Sequence, residues 1–150
     1  MPETLNHPAV AVLQSFFAEM RDWDVEGYRE QEAIDWATTT QEKVDAINLK
    51  ARQALEAIFE KYCDVGTRAK RLKGGLVYSK PTAYDPEREA ITSVEVKRGK
   101  AIIETQQPFV TLVKKKRYEL VERDEQWKIR DNAKSDLLRS EKRKWSVDIL

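Results

Sequence analysis

An α+β fold, with helices first and an antiparallel sheet after them, is predicted by three observations. Apolar residues recur at three- and four-residue spacing through roughly the first 65 positions. Two later stretches, Ile91–Thr105 and Tyr118–Arg130, alternate apolar and polar residues around short polar turns, as β-hairpins do. The change of period falls near Gly74-Gly75, so a bent antiparallel sheet should fill most of residues 76–133. A striped helix and a half-exposed sheet each have one apolar side to bury, and they bury it against each other.

The first helix should begin near Asn6-His7-Pro8, because proline suits the first helical position and a polar residue before it can cap the free N–H groups. Val10, Leu13, Phe17 and Met20, with Phe16 beside them, form its apolar stripe, and Trp23 continues it into the core. Gly27 is expected to mark a bend or break, with Tyr28–Trp36 a polar helical stretch beyond it. Thr38-Thr39-Thr40 interrupts the pattern, since β-branched residues are weak helix formers. Thr39, with Glu42 three residues on, fits a capping box. It would open a second helix with Val44, Ile47, Ala51, Leu55, Ile58, Phe59 and Tyr62 on one face and Gly66 as terminator.

Thr67–Gly75 is basic and turn-like. Leu76-Val77-Tyr78 reads as a first strand, and Pro81–Glu89, with Pro81 and Asp85-Pro86, as a loop. In the first hairpin Val94 and Val96 reach the turn Arg98-Gly99-Lys100, where glycine supplies a positive φ, and Ala101, Ile103 and Thr105 return. In the second, Tyr118 and Leu120 lead to Asp124-Glu125-Gln126, and Trp127 and Ile129 return. Between the hairpins Pro108 is expected to interrupt the sheet and Phe109–Val113 to restart it. In the last segment a short helix over Asp136–Lys144 and a terminal strand at Val147 and Ile149 both fit.

A length of 150 residues predicts one domain, with its core over about residues 8–133 and a C-terminal tail at 135–150. Hydrophobic content of 41% against 35% charged residues means a modest core under a heavily ionised surface. No apolar run is long enough to span a bilayer, and Met1-Pro2-Glu3-Thr4-Leu5 lacks the basic-then-apolar pattern of a leader. The expectation is a soluble cytoplasmic protein with no cleaved segment and no membrane contact. The single cysteine, Cys63, excludes an internal disulfide and a multi-cysteine zinc site. The net charge of +1 hides an asymmetry: residues 1–60 hold 12 Asp/Glu against 5 Lys/Arg, a net of −7, and residues 61–150 hold 14 against 22, a net of +8. An acidic helical half beside a basic sheet half bears on the choice of partner.

Five stretches carry a family resemblance. They are the Phe16–Trp23 pattern, Leu55–Cys63, Tyr84–Glu95, Ala101–Gln106 and Tyr118–Ile129. Over roughly residues 8–133 the chain resembles bacterial immunity proteins with a nuclear transport factor two-like fold, several of which accompany Rhs-type polymorphic toxins. The resemblance implies a curved antiparallel sheet wrapped around helices as an open-mouthed cone. It also implies neutralisation of a cognate toxin domain by binding, with steric inhibition, no cofactor and no metal. Oligomeric state is left open, a homo-oligomer included. No toxin-contact residue carries over, because no contact motif maps position by position.

Folds of this kind also host isomerases and dehydratases, so chemistry must be read from residues. Such enzymes need an acid and a base in the pocket. The one histidine, His7, sits where it would cap the first helix. Glu104 and Asp131, with Tyr78 and Tyr118 as donors, form the surviving carboxylate set, although strand-borne carboxylates are usually the solvent face of a sheet. Cys63 lies at a helix end on an apolar face and reads as a small buried hydrophobe. Basic runs at Arg68–Lys73, Lys114–Arg117 and Arg139–Lys144 raise a nucleic-acid module as an alternative. The acidic residues Glu119, Glu122, Asp124 and Glu125 dilute the second run, so no nucleic-acid partner is expected.

The acidic run from Glu19 to Asp35 is the candidate partner surface. Asp22, Asp24, Glu26, Glu30 and Glu32 are opposed only by Arg21 and Arg29 in sequence, and Tyr28 and Trp36 are interleaved among them. Aromatic anchors rimmed by carboxylates would suit a basic partner.

Overall fold

The computed structural model describes residues 7–64, 76, 78, 84–109, 112–137 and 146–148, with backbone alone at 108–109, 112–114, 131–137 and 146–148. Gly66, Thr67–Gly75, Val77, Ile149 and the basic runs Arg68–Lys73 and Arg139–Lys144 lie outside the described residues, as does the side chain of Asp131.

Helix α1 spans Pro8–Glu32. His7 caps it, its Nδ1 accepting the Ala9 N–H at 3.1 Å, and Pro8 takes the first helical position. The helix runs without interruption through Gly27, so that glycine is not a bend. It is a contact: a Cβ there would stand 1.9 Å from Cε1 of Tyr78, whose ring packs on Trp23 with centroids 4.9 Å apart. The helix stops at Glu32, short of the expected Trp36, and residues 33–39 form turns held by Asp35. Its carbonyl accepts from the N–H groups of Thr38 and Thr39, and its Oδ1 from Ala37 N–H at 3.1 Å.

That turn occupies the Thr39 N–H, so the chain becomes extended one residue later and Thr40 caps α2 in place of Thr39. The Thr40 Oγ1 accepts from Lys43 N–H at 3.3 Å. Helix α2 spans Gln41–Tyr62 and ends where Cys63 turns extended, at φ −113° and ψ 149°.

Five strands follow, β1 Ala90–Lys97, β2 Lys100–Phe109, β3 Leu112–Arg123, β4 Gln126–Leu137 and β5 Ser146–Asp148, paired antiparallel in sequence order. Leu76 and Tyr78 belong to no strand, so the first strand expected there is absent at those two positions. Pro108 does not interrupt the sheet: it pairs with Val113 near the end of the β2–β3 hairpin. β1 pairs no further along β2 than Gln106, so a missing N–H at Pro108 breaks no ladder bond on that side. Asp136 and Leu137 are strand rather than helix, and Val147 lies in the terminal strand β5.

Both described tight turns are two-residue loops with positive φ at each position, Arg98 (42°) and Gly99 (75°) in one, Asp124 (51°) and Glu125 (63°) in the other. Two irregularities interrupt the pairing, a feature that bends strands locally. In β1, Thr92 is the extra residue between Ile91 and Ser93, and its hydroxyl donates to the Glu104 carbonyl. The bulge brings Ile91, Val94 and Val96 to one face despite their uneven spacing, and all three pack on the core. Between Arg117 and Glu119 the register with β4 shifts as well.

The helices pack on that face. Phe16 meets Phe59 edge-on at 5.6 Å and Phe17 meets Tyr118 at 5.4 Å, with Met20, Leu55, Ile103, Leu120 and Ile129 buried around them. The α2 end is tied to β4: the Asp64 N–H donates to the Ile129 carbonyl at 2.8 Å, and the Lys128 ammonium donates to the carbonyls of Glu60 and Lys61 at 3.2 and 2.6 Å. The core is polar toward one end, where Glu89, Thr105, Gln107 and Lys116 are buried. Lys116 is therefore not part of a basic surface patch: strand alternation turns it inward between Lys115 and Arg117.

Candidate docking groove

An open groove of about 810 Å³ runs between α1 and α2. Glu19, Asp22, Glu26 and Glu30 form its α1 wall, one carboxylate per turn at three- and four-residue spacing. Trp23, Gly27, Ala51, Ala54, Ala57 and Ile58 line the rest, and Lys50 and Lys61 join it from α2. Trp23 is fixed as part of the floor, its Nε1–H donating to the Ala51 carbonyl at 2.9 Å.

Each carboxylate of the wall has a cation nearby. Lys61 reaches Glu19 at 3.1 Å, Arg21 reaches Asp22 at 3.3 Å, Arg29 reaches Glu26 at 2.5 Å and Lys50 reaches Glu30 at 3.9 Å. Lys50 and Lys61 are the cations that linear reading could not place, since they come from the other helix. The Tyr62 hydroxyl also donates to Glu19. Burial and the Glu19 carboxylate push the Tyr62 phenol up, and hydrogen bonding to Glu19 does the same for the Lys61 ammonium. The Arg29 guanidinium holds the Glu26 carboxyl below its usual range.

The sequence-derived surface is only partly assembled. Asp22, Glu26 and Glu30 line the groove. Asp24 is 1% exposed and is turned away from the groove, because it falls on the same helical side as Met20 and Gly27. There its charge, with that of Glu30, acts on Tyr78, whose phenol is pushed up chiefly by burial. Tyr28 and Glu32 border a separate hollow with Gln31, Leu76 and Tyr78. Trp36 stands apart in the α1–α2 connection, 66% exposed. Glu19, which opens the acidic run, also lines the groove, while sequence reading missed the alanines, although Lys50, Ala54, Ala57 and Lys61 carried a signal at spacings of four, three and four.

The residues weighed for catalysis are scattered. Glu104 binds Arg117 at 2.8 Å, its cross-strand partner. Tyr118 is buried against Phe17, Tyr78 lies against Trp23, and His7 caps α1 with its ring edge-on to Trp127. Cys63 is buried. No described helix is long and apolar enough to cross a membrane.

Comparison with known proteins adds identity to this geometry. The family model described as NTF2 fold immunity protein matches residues 8–146. The chain is 26% identical over 121 residues to Immunity protein RhsIA of Dickeya dadantii (strain 3937), covering 81% of this chain and 82% of that protein. No solved structure matches the chain significantly. With two N-terminal helices on an antiparallel sheet and a family match spanning nearly the whole sequence, the chain belongs to the NTF2 fold immunity protein family.

Proposed function

We propose that this protein is a single-domain cytoplasmic inhibitor that neutralises a cognate Rhs-type toxin by forming a stoichiometric complex with it, without catalysis. The observation that carries the reading is membership of the immunity family, and likeness to a protein named RhsIA supports the Rhs-type class. The dispersal of Glu104, Tyr78, Tyr118 and His7 favours binding over turnover, since acid–base chemistry requires such groups to converge on one substrate. The acidic groove, with Asp22, Glu26 and Glu30, is the surface offered to the toxin, and Trp36, Tyr28 and Glu32 form a flanking contact.

The test is protection and capture. Co-expression with the cognate toxin domain, sought first in the gene beside this one, should restore growth, and the two chains should co-purify in equal amounts. His7→Ala and Cys63→Ser variants that remain folded should protect as well as the parent. Absence of both protection and complex would remove the reading.

A further inference from the structure

We propose that the α1–α2 groove receives a cationic amphipathic helix of the toxin, about three turns long, whose Lys or Arg side chains replace Lys61 and Lys50 as partners of Glu19 and Glu30. The proposal rests on the immunity reading and adds the chemistry of the segment that docks.

The length follows from the wall. Glu19 to Glu30 covers roughly 16 Å of helix at about 1.5 Å per residue. The occupant's conformation follows from the floor. Two helices present side chains and no free backbone edge, so an extended segment lying there would leave its own N–H and C=O groups without partners, whereas a helix satisfies them internally. Ala54 and Ala57 are small and exposed, which permits a third helix to approach at the short end of interhelical distances.

Charge selects the sign of the partner. Four carboxylates and two lysines line the groove, and Arg21 and Arg29 pair with Asp22 and Glu26 beside it, so a basic helix competes most directly at Glu19 and Glu30, whose cations are the two groove lysines. The internal cations are easily displaced. The Lys50 side chain is 80% exposed and pairs with Glu30 at 3.9 Å, while that of Lys61 is 61% exposed and pairs with Glu19 at 3.1 Å. Exposed pairs of this kind hold weakly. Glu19 stays in position when Lys61 leaves, because the Tyr62 hydroxyl still donates to it. An incoming cation therefore finds a carboxylate already oriented.

Two variants with opposite expected signs test this by titration calorimetry against the cognate toxin domain, catalytically silenced. Ala54→Phe with Ala57→Phe fills the groove from two exposed positions and should weaken binding about 100-fold. Lys50→Ala with Lys61→Ala removes the internal competitors and should tighten it about threefold, with a steeper salt dependence. Circular dichroism checks folding, and Ala54→Gln with Ala57→Gln serves if the phenylalanine pair misfolds. A folded, groove-filled variant that binds like the parent overturns the proposal, and so does weakened binding on removing the lysines. Sedimentation showing a dimer that the groove-filling pair abolishes would put a second copy there instead, and a complex structure with an extended toxin segment in the groove would also overturn it. A parent protein that does not bind the toxin at all is the different failure, that of the immunity reading.

Discussion

Along α1, Phe16, Met20 and Asp24 turn toward the core and are buried, while Glu19, Asp22 and Glu26, never more than three residues away in sequence, border an open groove. The inner side is governed by volume, since interiors are close-packed and respond to a single methylene. The outer side is governed by the placement of charge, where individual pairs contribute little to stability. Stability and the proposed recognition are thus separable on one helix. Substitutions on the two sides should change different observables.

The largest expected effect breaks the inner side. Phe16→Ala removes a ring that touches Phe59, Tyr62 and Tyr84 and should cost about 3–5 kcal/mol in urea unfolding. Asp22→Asn, on the groove, should stay within about 0.5 kcal/mol. Equal losses at the two positions would erase the distinction.

Gly27 touches both sides and sharpens the contrast. Gly27→Ala drives a methyl into the Tyr78 ring and should cost about 1–3 kcal/mol. In a Tyr78→Ala background the same change should stabilise by about 0.5–1 kcal/mol, because alanine is the better helix former. A double-mutant cycle showing additivity would mean that the ring is not what requires glycine.

Tyr62 joins core to groove through its hydroxyl bond to Glu19, and Tyr62→Phe should cost about 1 kcal/mol at neutral pH. Its phenol is raised above 10.0 in the folded protein. The unfolded chain therefore ionises first, so stability is unaffected well below 10.0 and declines as pH rises past it. Urea curves between pH 8 and 11 should show that decline, shallower in Tyr62→Phe. The smallest effect belongs to Glu26. Its carboxyl is held below 4.5 by Arg29, so its contribution is present above 4.5 and is lost as pH falls through the lower folded value. Glu26→Gln should flatten that acid limb only slightly, because the pair is exposed.

Much of the fold was legible because periodicity reports which side of an element meets the core. The stripe from Val10 to Trp23, the second helix and both tight turns follow from spacing and turn chemistry alone. Errors arose where a residue's reason lay outside its own segment. Gly27 looks like a break until Tyr78 is placed against it, and Pro108 looks like an interruption until β1 is seen to pair no further than Gln106. Lys116 looks like surface charge until the strand turns it inward. The groove was half visible for the same reason. Asp22, Glu26 and Glu30 share one helix, but the alanines and lysines opposite them belong to another, and only packing brings the two lines together. Asp24 was misread because a run of acids conceals the helical rotation that separates neighbours.

The bond from Lys128 to Glu60 spans 68 residues of sequence, whereas the β1–β2 and β3–β4 hairpins each close over two. Loop closure becomes more costly with length, so the meander has the kinetic advantage and the seam between α2 and β4 is expected to close later on the folding route. A newly made chain would thus own a sheet before the end of α2 is tied to it. Substitutions at Lys128 should accelerate unfolding while leaving the refolding rate nearly unchanged.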